Sequence, residues 1–212
     1  MSERIEQYFT IKDTAYGEYR EKGSKFFAWA HPASEEEEVK EHLERYRKDH
    51  PKACHWCYAY RLDLEGKQFR ANDDGEPSGT AGKPILGQID SKKLTKVFVV
   101  VVRYYGGKKL GASGLINAYK TSAAEALAAA EIIKIKIRSY HQVTFTYERM
   151  NDVMRFLKHD EMKIESQNYL EICKLTFSIP LEYEQQLLNN LSKLYDIEVE
   201  ELDGVNGEPV NG

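Results

Sequence analysis

The stretch KVFVVVVRYYGGKKLGASG, residues 96–114, decides how the chain is read. Between Lys96 and Arg103 the six residues VFVVVV are apolar without alternation, the pattern of a strand buried on both faces. Glycines at 106, 107, 111 and 114 break it. A helix is then predicted over about Ala112–Glu131, its apolar stripe formed by Leu115, Ile116, Tyr119, Ala123, Ala126, Leu127 and Ala130. Strand, glycine-rich turn and long helix in succession form the frame to which the flanking segments attach.

Upstream, Tyr16–Arg20 and Lys25–Ala30 are rich in aromatics and flank Lys22-Gly23-Ser24, which predicts a hairpin. Ser34 followed by Glu37 reads as a capping box, with Glu35–Glu38 at the positive end of a helix that carries Val39, Leu43 and Tyr46. Cys54–Leu62 reads as a strand, and Glu65–Gly87 as a polar, glycine-rich connection. Downstream, Ile133, Ile135 and Ile137 alternate with Lys134, Lys136 and Arg138 as a strand with one basic face. The rest predicts strand 143–147, helix 150–157, strands 163–167 and 175–179, helix 187–194 and strand 197–201. That βαββαβ order is the ferredoxin-like arrangement. The fold class is therefore α+β in two domains, residues 1–132 and 133–203, followed by an unstructured tail, 204–212.

The 212 residues are 42% hydrophobic and 11% aromatic, enough for packed cores. The longest apolar run, Val97–Val102, is far short of the ~20 residues of a membrane span. The N-terminal segment lacks the pattern of a secretory signal. Three cysteines make no disulfide framework. A cytoplasmic protein without membrane contact is expected. With a net charge of −4, any polyanion affinity has to be local.

Two segments carry candidate chemistry. In Asp73–Pro84 three acids precede three glycines, and Ser78 or Thr80 is placed to cap a following helix. Such a loop can turn its amides inward as an anion nest, or simply cap the helix; a magnesium site of Asp73, Asp74 and Glu76 is the weaker alternative. In Arg103–Gly114 the loop is neither a Walker A sequence nor GxGxxG, because Ala112 stands where the lysine belongs. From Lys83 to Lys120 eight cations face one acid, Asp90, and Tyr104 and Tyr105 add stacking rings. Cys54-His55-Trp56-Cys57 offers half a zinc site. No second half exists, and strand alternation sends its cysteines to one face each. No metal or cofactor is expected, and no nucleophile triad stands out.

The segments DDGEPSGTAGKPIL (73–86) and VVVRYYGGKKLGASGLINAY (100–119), with the looser CHWCYAYR (54–61), resemble the signatures of the IMPACT/YigZ family. Lys108-Lys109 is a departure, since many members carry apolar residues there. The resemblance implies a ribosomal-protein-S5 domain-2-like first domain and a ferredoxin-like second, a pairing similar to the last domains of the ribosomal translocase elongation factor. It also implies a link to translation: eukaryotic relatives restrain activation of the kinase that phosphorylates initiation factor 2. The short layout here resembles the bacterial members, which lack the extra N-terminal partner-binding domain. On this basis the chain is expected to contact RNA or the ribosome, with a translation-related protein as a further partner. The expected anion- or nucleic-acid-binding residues are Asp74, Glu76, Ser78, Gly79, Thr80, Lys83, Arg103, Tyr104, Tyr105, Gly106, Gly107, Lys109 and Gly111. The alternative is an enzyme acting on a phosphorylated or nucleotide ligand. There Asp74 and Glu76 would hold magnesium or act as base, Arg103 would clamp phosphate, and Gly111–Gly114 would loosely match the loop of small-molecule kinases.

Overall fold

The computed structural model describes residues 4–209. They form two compact units, Tyr8–Lys134 and a second that joins the residues up to Gln7 with those from Ile135 onward. The chain passes from one to the other through β1 (Gln7–Ile11). The Ile137 amide donates to the Glu6 carbonyl at 2.9 Å, which ties the start of the chain into the second unit.

The N-terminal unit is an antiparallel sheet of β2 (Ala15–Glu21), β3 (Ser24–Pro32), β4 (His55–Arg61), β5 (Phe69–Asn72) and β6 (Val97–Tyr104), in the order β2-β3-β6-β4-β5. The β2–β3 hairpin closes where expected, on Lys22 (φ 47°) and Gly23 (φ 82°). Two consecutive positive φ values give the turn a twist that matches the strands. All six residues from Val97 to Val102 are fully buried. Val97, Val99 and Val101 meet α2 (Gly82–Ser91) and α3 (Gly111–Ala129), while Phe98, Val100 and Val102 meet α1 (Glu36–Asp49). The helix stripe holds except at Ile116, which is exposed, whereas Ala118 and Ser122 are buried. The capping box of α1 sits one residue later than expected: Glu38 accepts from the amides of Ser34 and Glu35 at 2.6 and 3.2 Å.

In the C-terminal unit the two strands expected at 133–137 and 143–147 are one, β7 (Ile132–Thr146). Burial continues through Ile137, Arg138 and Ser139, and alternation resumes from His141, so nothing ends the strand. It is followed by α4 (Met150–Phe156), β8 (Lys163–Tyr169), β9 (Ile172–Pro180), α5 (Leu181–Leu191) and β10 (Ile197–Pro209). The sheet runs β7-β9-β8, and β10 also pairs with β7. Where an unstructured tail was expected from residue 204, β10 continues. After an irregularity between Leu202 and Asn206 its backbone pairs with the first half of β7, ending with Pro209 opposite Ile135. The long β7 offers ladder partners that a short strand would not. The last three residues of that expected tail lie outside the described residues. The core packs Val143, Phe145, Leu175 and Phe177 under Val153, Leu187 and Leu191. At its margin Glu184 is buried against Arg4, His141 (3.1 Å) and Ser139. Burial alone would raise the Glu184 carboxyl, but these partners hold it below the usual range.

Close packing between β2 and α3 rests on Gly17, where an added Cβ would stand 2.3 Å from the Ala126 nitrogen. Gly17→Ala is expected to destabilise the N-terminal unit by roughly 1–3 kcal/mol through overpacking against backbone. Chemical denaturation followed by tryptophan fluorescence measures this, and an unchanged midpoint would contradict the packing described.

Candidate functional site

The two glycine-rich segments meet at one end of the N-terminal sheet. The last residues of β6 bring Arg103 to the face covered by α2 and α3. The loop after β5 brings Glu76 to it, and the Arg103 Nη1 donates to Glu76 Oε1 at 2.5 Å. Both side chains are buried. The same oxygen accepts from the Tyr119 hydroxyl of α3 at 2.8 Å and lies 3.9 Å from His55 Nε2 of β4. One carboxylate thus joins four elements. Burial above all, and then the neighbouring Cys57 and Glu76, push the Tyr119 hydroxyl far above its ordinary range, so it serves Glu76 as a donor. The Cys57 thiol, 3.0 Å from the Asp73 carbonyl and 3.3 Å from the Tyr119 hydroxyl, is likewise pushed up by burial. It is a packed donor and not a nucleophile.

The acids of the DDGE segment face inward. Asp73 accepts from the amides of Gly79 (2.8 Å), Ala81 (2.9 Å) and Gly82 (2.9 Å), so the first amides of α2 are closed by the chain's own carboxylate. Neither Ser78 nor Thr80 caps this helix. Thr80 instead donates its hydroxyl to the Pro77 carbonyl at 2.7 Å, and Ser78 is exposed. Asp74 (φ 41°) accepts from the Trp56 amide and from Arg47, each at 2.7 Å. Its carbonyl accepts a hydrogen bond from His55 Nδ1 at 2.8 Å, which orients the ring with Nε2 on the Glu76 side. Asp73, Asp74 and Glu76 therefore point at three different sets of partners. Among the described residues no group of three His, Cys, Asp or Glu side chains is arranged to hold a metal ion.

The second helix end is different. α3 begins at Gly111 with no side-chain cap and no acid in its first turn. Gly111, Ala112 and Ser113 are exposed, as are Gly107, Lys108 and Lys109 just before them. Gly107 (φ 80°) and Gly111 (φ 74°) occupy the left-handed region. Gly106 is needed for another reason: a Cβ there would stand 1.9 Å from the Gly23 carbonyl carbon. That approach brings the β2–β3 turn, with exposed Lys22 and Lys25, against the loop. Tyr105 is exposed, its ring 5.6 Å from the Arg103 guanidinium, whose other neighbour is Phe26 at 5.4 Å. The Arg103 Nε is buried without a hydrogen-bond partner.

The residues expected from sequence divide accordingly. Glu76, Arg103, Tyr104, Tyr105, Gly106, Gly107, Lys109 and Gly111 lie at this end of the sheet. Gly79 and Lys83 flank the closed start of α2, where the Lys83 side chain runs past Gly79. The cation-rich count does not describe one surface. Lys92, Lys93 and Lys96 precede β6, and Lys108 and Lys109 follow it, at opposite ends of a strand roughly 23 Å long at ~3.3 Å per residue. Sequence reading missed Lys22 and Lys25, which join from the far hairpin, and Tyr119, which carried only a core assignment. It noted His55 without a role. Two cavities of about 410 and 320 Å³ lie in the C-terminal unit, and neither is lined by any of the expected site residues.

With this geometry described, comparison with known proteins gives the family. The Impact N-terminal domain model matches residues 22–127. IMPACT family member YvyE of Bacillus subtilis is 34% identical over 79% of this chain and 77% of its own. IMPACT family member YigZ of Escherichia coli is 31% identical over 75% and 79%. A solved structure described as a hypothetical protein superposes with a TM-score of 0.67 at 25% identity, covering 94% of this chain and 99% of that one. The chain is a two-domain α+β protein built on antiparallel sheets. It belongs to the IMPACT family. Among the described residues no helix is long and apolar enough to cross a membrane.

Two tests follow from the buried network. Glu76→Ala leaves the Arg103 guanidinium buried and unpaired and is expected to cost about 3–5 kcal/mol, with the double variant Glu76→Gln/Arg103→Met recovering part of the loss. Chemical denaturation of the three proteins checks this; equal stability of single variant and parent would refute the pairing. Asp73 gives a pH dependence. Burial would raise its carboxyl, but the three amides outweigh that, helped by Lys83, and hold it below the ordinary value. A depressed folded pKa contributes stability that is complete above the unfolded value, near pH 4, and is lost as pH falls through the folded one. Asp73→Asn should flatten the acid limb of a melting-temperature-against-pH curve below about pH 4.

Proposed function

We propose that this chain is a translation-associated regulatory protein that contacts RNA or the ribosome through the loop end of its N-terminal unit. The observation that carries the reading is the uncapped start of α3. Its first amides are open, no acid stands in its first turn, and Lys108 and Lys109 flank it. A helix N-terminus of this kind favours phosphate, by about 0.3–1 kcal/mol where exposed and more with adjacent cations. Lys22 and Lys25 extend the positive surface, and Tyr105 supplies an exposed ring. Glu76, Arg103 and the loop at 73–82 hold this end rigid instead of touching the ligand. The tie to translation, and to a protein partner within it, rests on the family resemblance.

On the same footing we read the N-terminal unit as ribosomal-protein-S5 domain-2-like and the C-terminal unit as ferredoxin-like, acting in the cytoplasm. The second unit's order of strand, helix, strand, strand, helix, strand supports the latter. The enzyme alternative requires Asp74 and Glu76 to be available to magnesium or a substrate proton. Both are engaged by Arg47, Trp56, Arg103 and Tyr119, which favours the binding reading.

The test is RNA binding and ribosome cosedimentation across a salt series. Lys108→Glu/Lys109→Glu is expected to weaken binding and to lower the slope of log K against log salt by roughly 1.4–1.8. Lys92→Glu/Lys93→Glu, at the other end of β6, should leave both unchanged. Absence of RNA and ribosome binding by the parent at low salt would end the proposal. A strong thermal shift with ATP or GTP and magnesium would favour the enzyme instead.

A further inference from the structure

The face of the N-terminal sheet opposite α2 and α3 is only partly covered. α1 packs on β4 and β6, and it reaches β3 through Tyr46 and His50 on Trp29 and through His42 on His31. The β2–β3 side of that face carries rings. Tyr16 stands 5.3 Å from Trp29 and 6.4 Å from Phe27 between ring centroids, and Phe27 stands 5.8 Å from Tyr104. Tyr16 is 44% exposed, and Phe27, Trp29 and Tyr104 are each partly open to solvent. These rings come from three adjacent strands: Tyr16 lies opposite Trp29 in register, and Lys25 opposite Tyr104.

An aromatic face left open has to be matched to an occupant, and the charges beside it select one. Arg20 and Lys25, both exposed, extend from the same face of β2 and β3, and Lys22 is in the turn that joins them. The acid beside the rings on this face of β2 is engaged: Glu18 accepts from Tyr16 at 2.9 Å and pairs with Arg20 at 3.0 Å. Cations at the margin with flat, sequence-tolerant ring faces inside are the two parts of a single-strand surface. Phosphates lie along the basic edge and bases stack on the rings. A sheet bearing aromatics on adjacent strands is an established way to hold unpaired bases. A duplex buries its base faces and can use only the cations.

We infer that the RNA taken by this unit is single-stranded, with unpaired bases stacking on Tyr16, Phe27 and Tyr104 next to the basic loop end. This rests on the RNA-binding reading above and narrows it.

The experiment compares a ten-nucleotide single strand, oligo(A) or oligo(U), with a duplex RNA of ten base pairs by fluorescence anisotropy. In parallel it follows Trp29 emission in a Trp56→Phe variant, which leaves a single tryptophan. The single strand should bind at least tenfold more tightly than the duplex and quench Trp29. Tyr16→Leu and Phe27→Leu, which keep an apolar side chain on the sheet, should each weaken the single strand about 5–100-fold while duplex affinity and salt slope stay as in the parent. The quench is read on intact rings, so the result does not depend on the leucine variants folding. Equal affinity for both forms with no quench overturns the inference and leaves RNA binding standing. So does occupation of these rings by an apolar peptide that RNA cannot displace. Failure of every RNA to bind removes the underlying reading instead, which separates the two outcomes.

Discussion

A carboxylate buried against an arginine fixes this N-terminal unit. Glu76 could not be placed there alone: an isolated ion taken out of water costs several kcal/mol, and attraction repays that only with good geometry and additional donors. Arg103 supplies the charge, Tyr119 a second donor, and His55 a third polar neighbour. Each comes from a different element, so the pair is satisfied only when β4, β6, α3 and the loop after β5 are all in register. The guanidinium, flanked by Phe26 and Tyr105, passes that constraint to the surface by setting where the Tyr105 ring stands.

The two helices that start near this pair show how the same chain end can be closed or left open. α2 has its first amides taken by Asp73, a residue eight to nine positions earlier whose own loop is shaped by Asp74 and Gly75 at positive φ. α3 has glycines on either side of Lys108-Lys109 and no acid in its first turn. An anion nest at the first helix would compete with a carboxylate already in place, whereas the second has, among the described residues, neither a side-chain cap nor an acid in its first turn. Rigid support and the proposed binding surface therefore fall to different glycine-rich segments, although both read alike as sequence.

Much of the architecture was legible because its signals are local. Non-alternating valines mark a strand sandwiched between layers, Lys22-Gly23 marks a turn, and a seven-residue stripe marks α3. What was not legible depends on partners far away. β5 has only four residues and is a strand because Tyr58 to Arg61 pair with it. The β10 extension exists because β7 is long enough to receive it. Asp73 reads as one of three interchangeable acids until the amides it meets are seen. The cation-rich stretch misled for a similar reason. A strand carries its two ends apart, so charges close in sequence separate in space, while Lys22 and Lys25 arrive from a hairpin some eighty residues earlier.

The open aromatic face follows from the geometry of α1. Fourteen residues make a helix about 21 Å long, one helix wide, and a five-stranded sheet is broader than that. α1 covers β4 and β6, where the side chains on its face are Val100, Val102, Tyr60 and Phe98, all buried. Towards β2 and β3 the valines give out, and that face becomes aromatic and basic and more open to water. Tyrosine and lysine tolerate water at their tips while their stems and rings cover the strand beneath. A uniformly aliphatic face there would be an exposed apolar patch inviting nonspecific association. The composition of the uncovered half thus keeps the edge of the sheet soluble and also suits flat, charged partners, and the two requirements are met by the same residues.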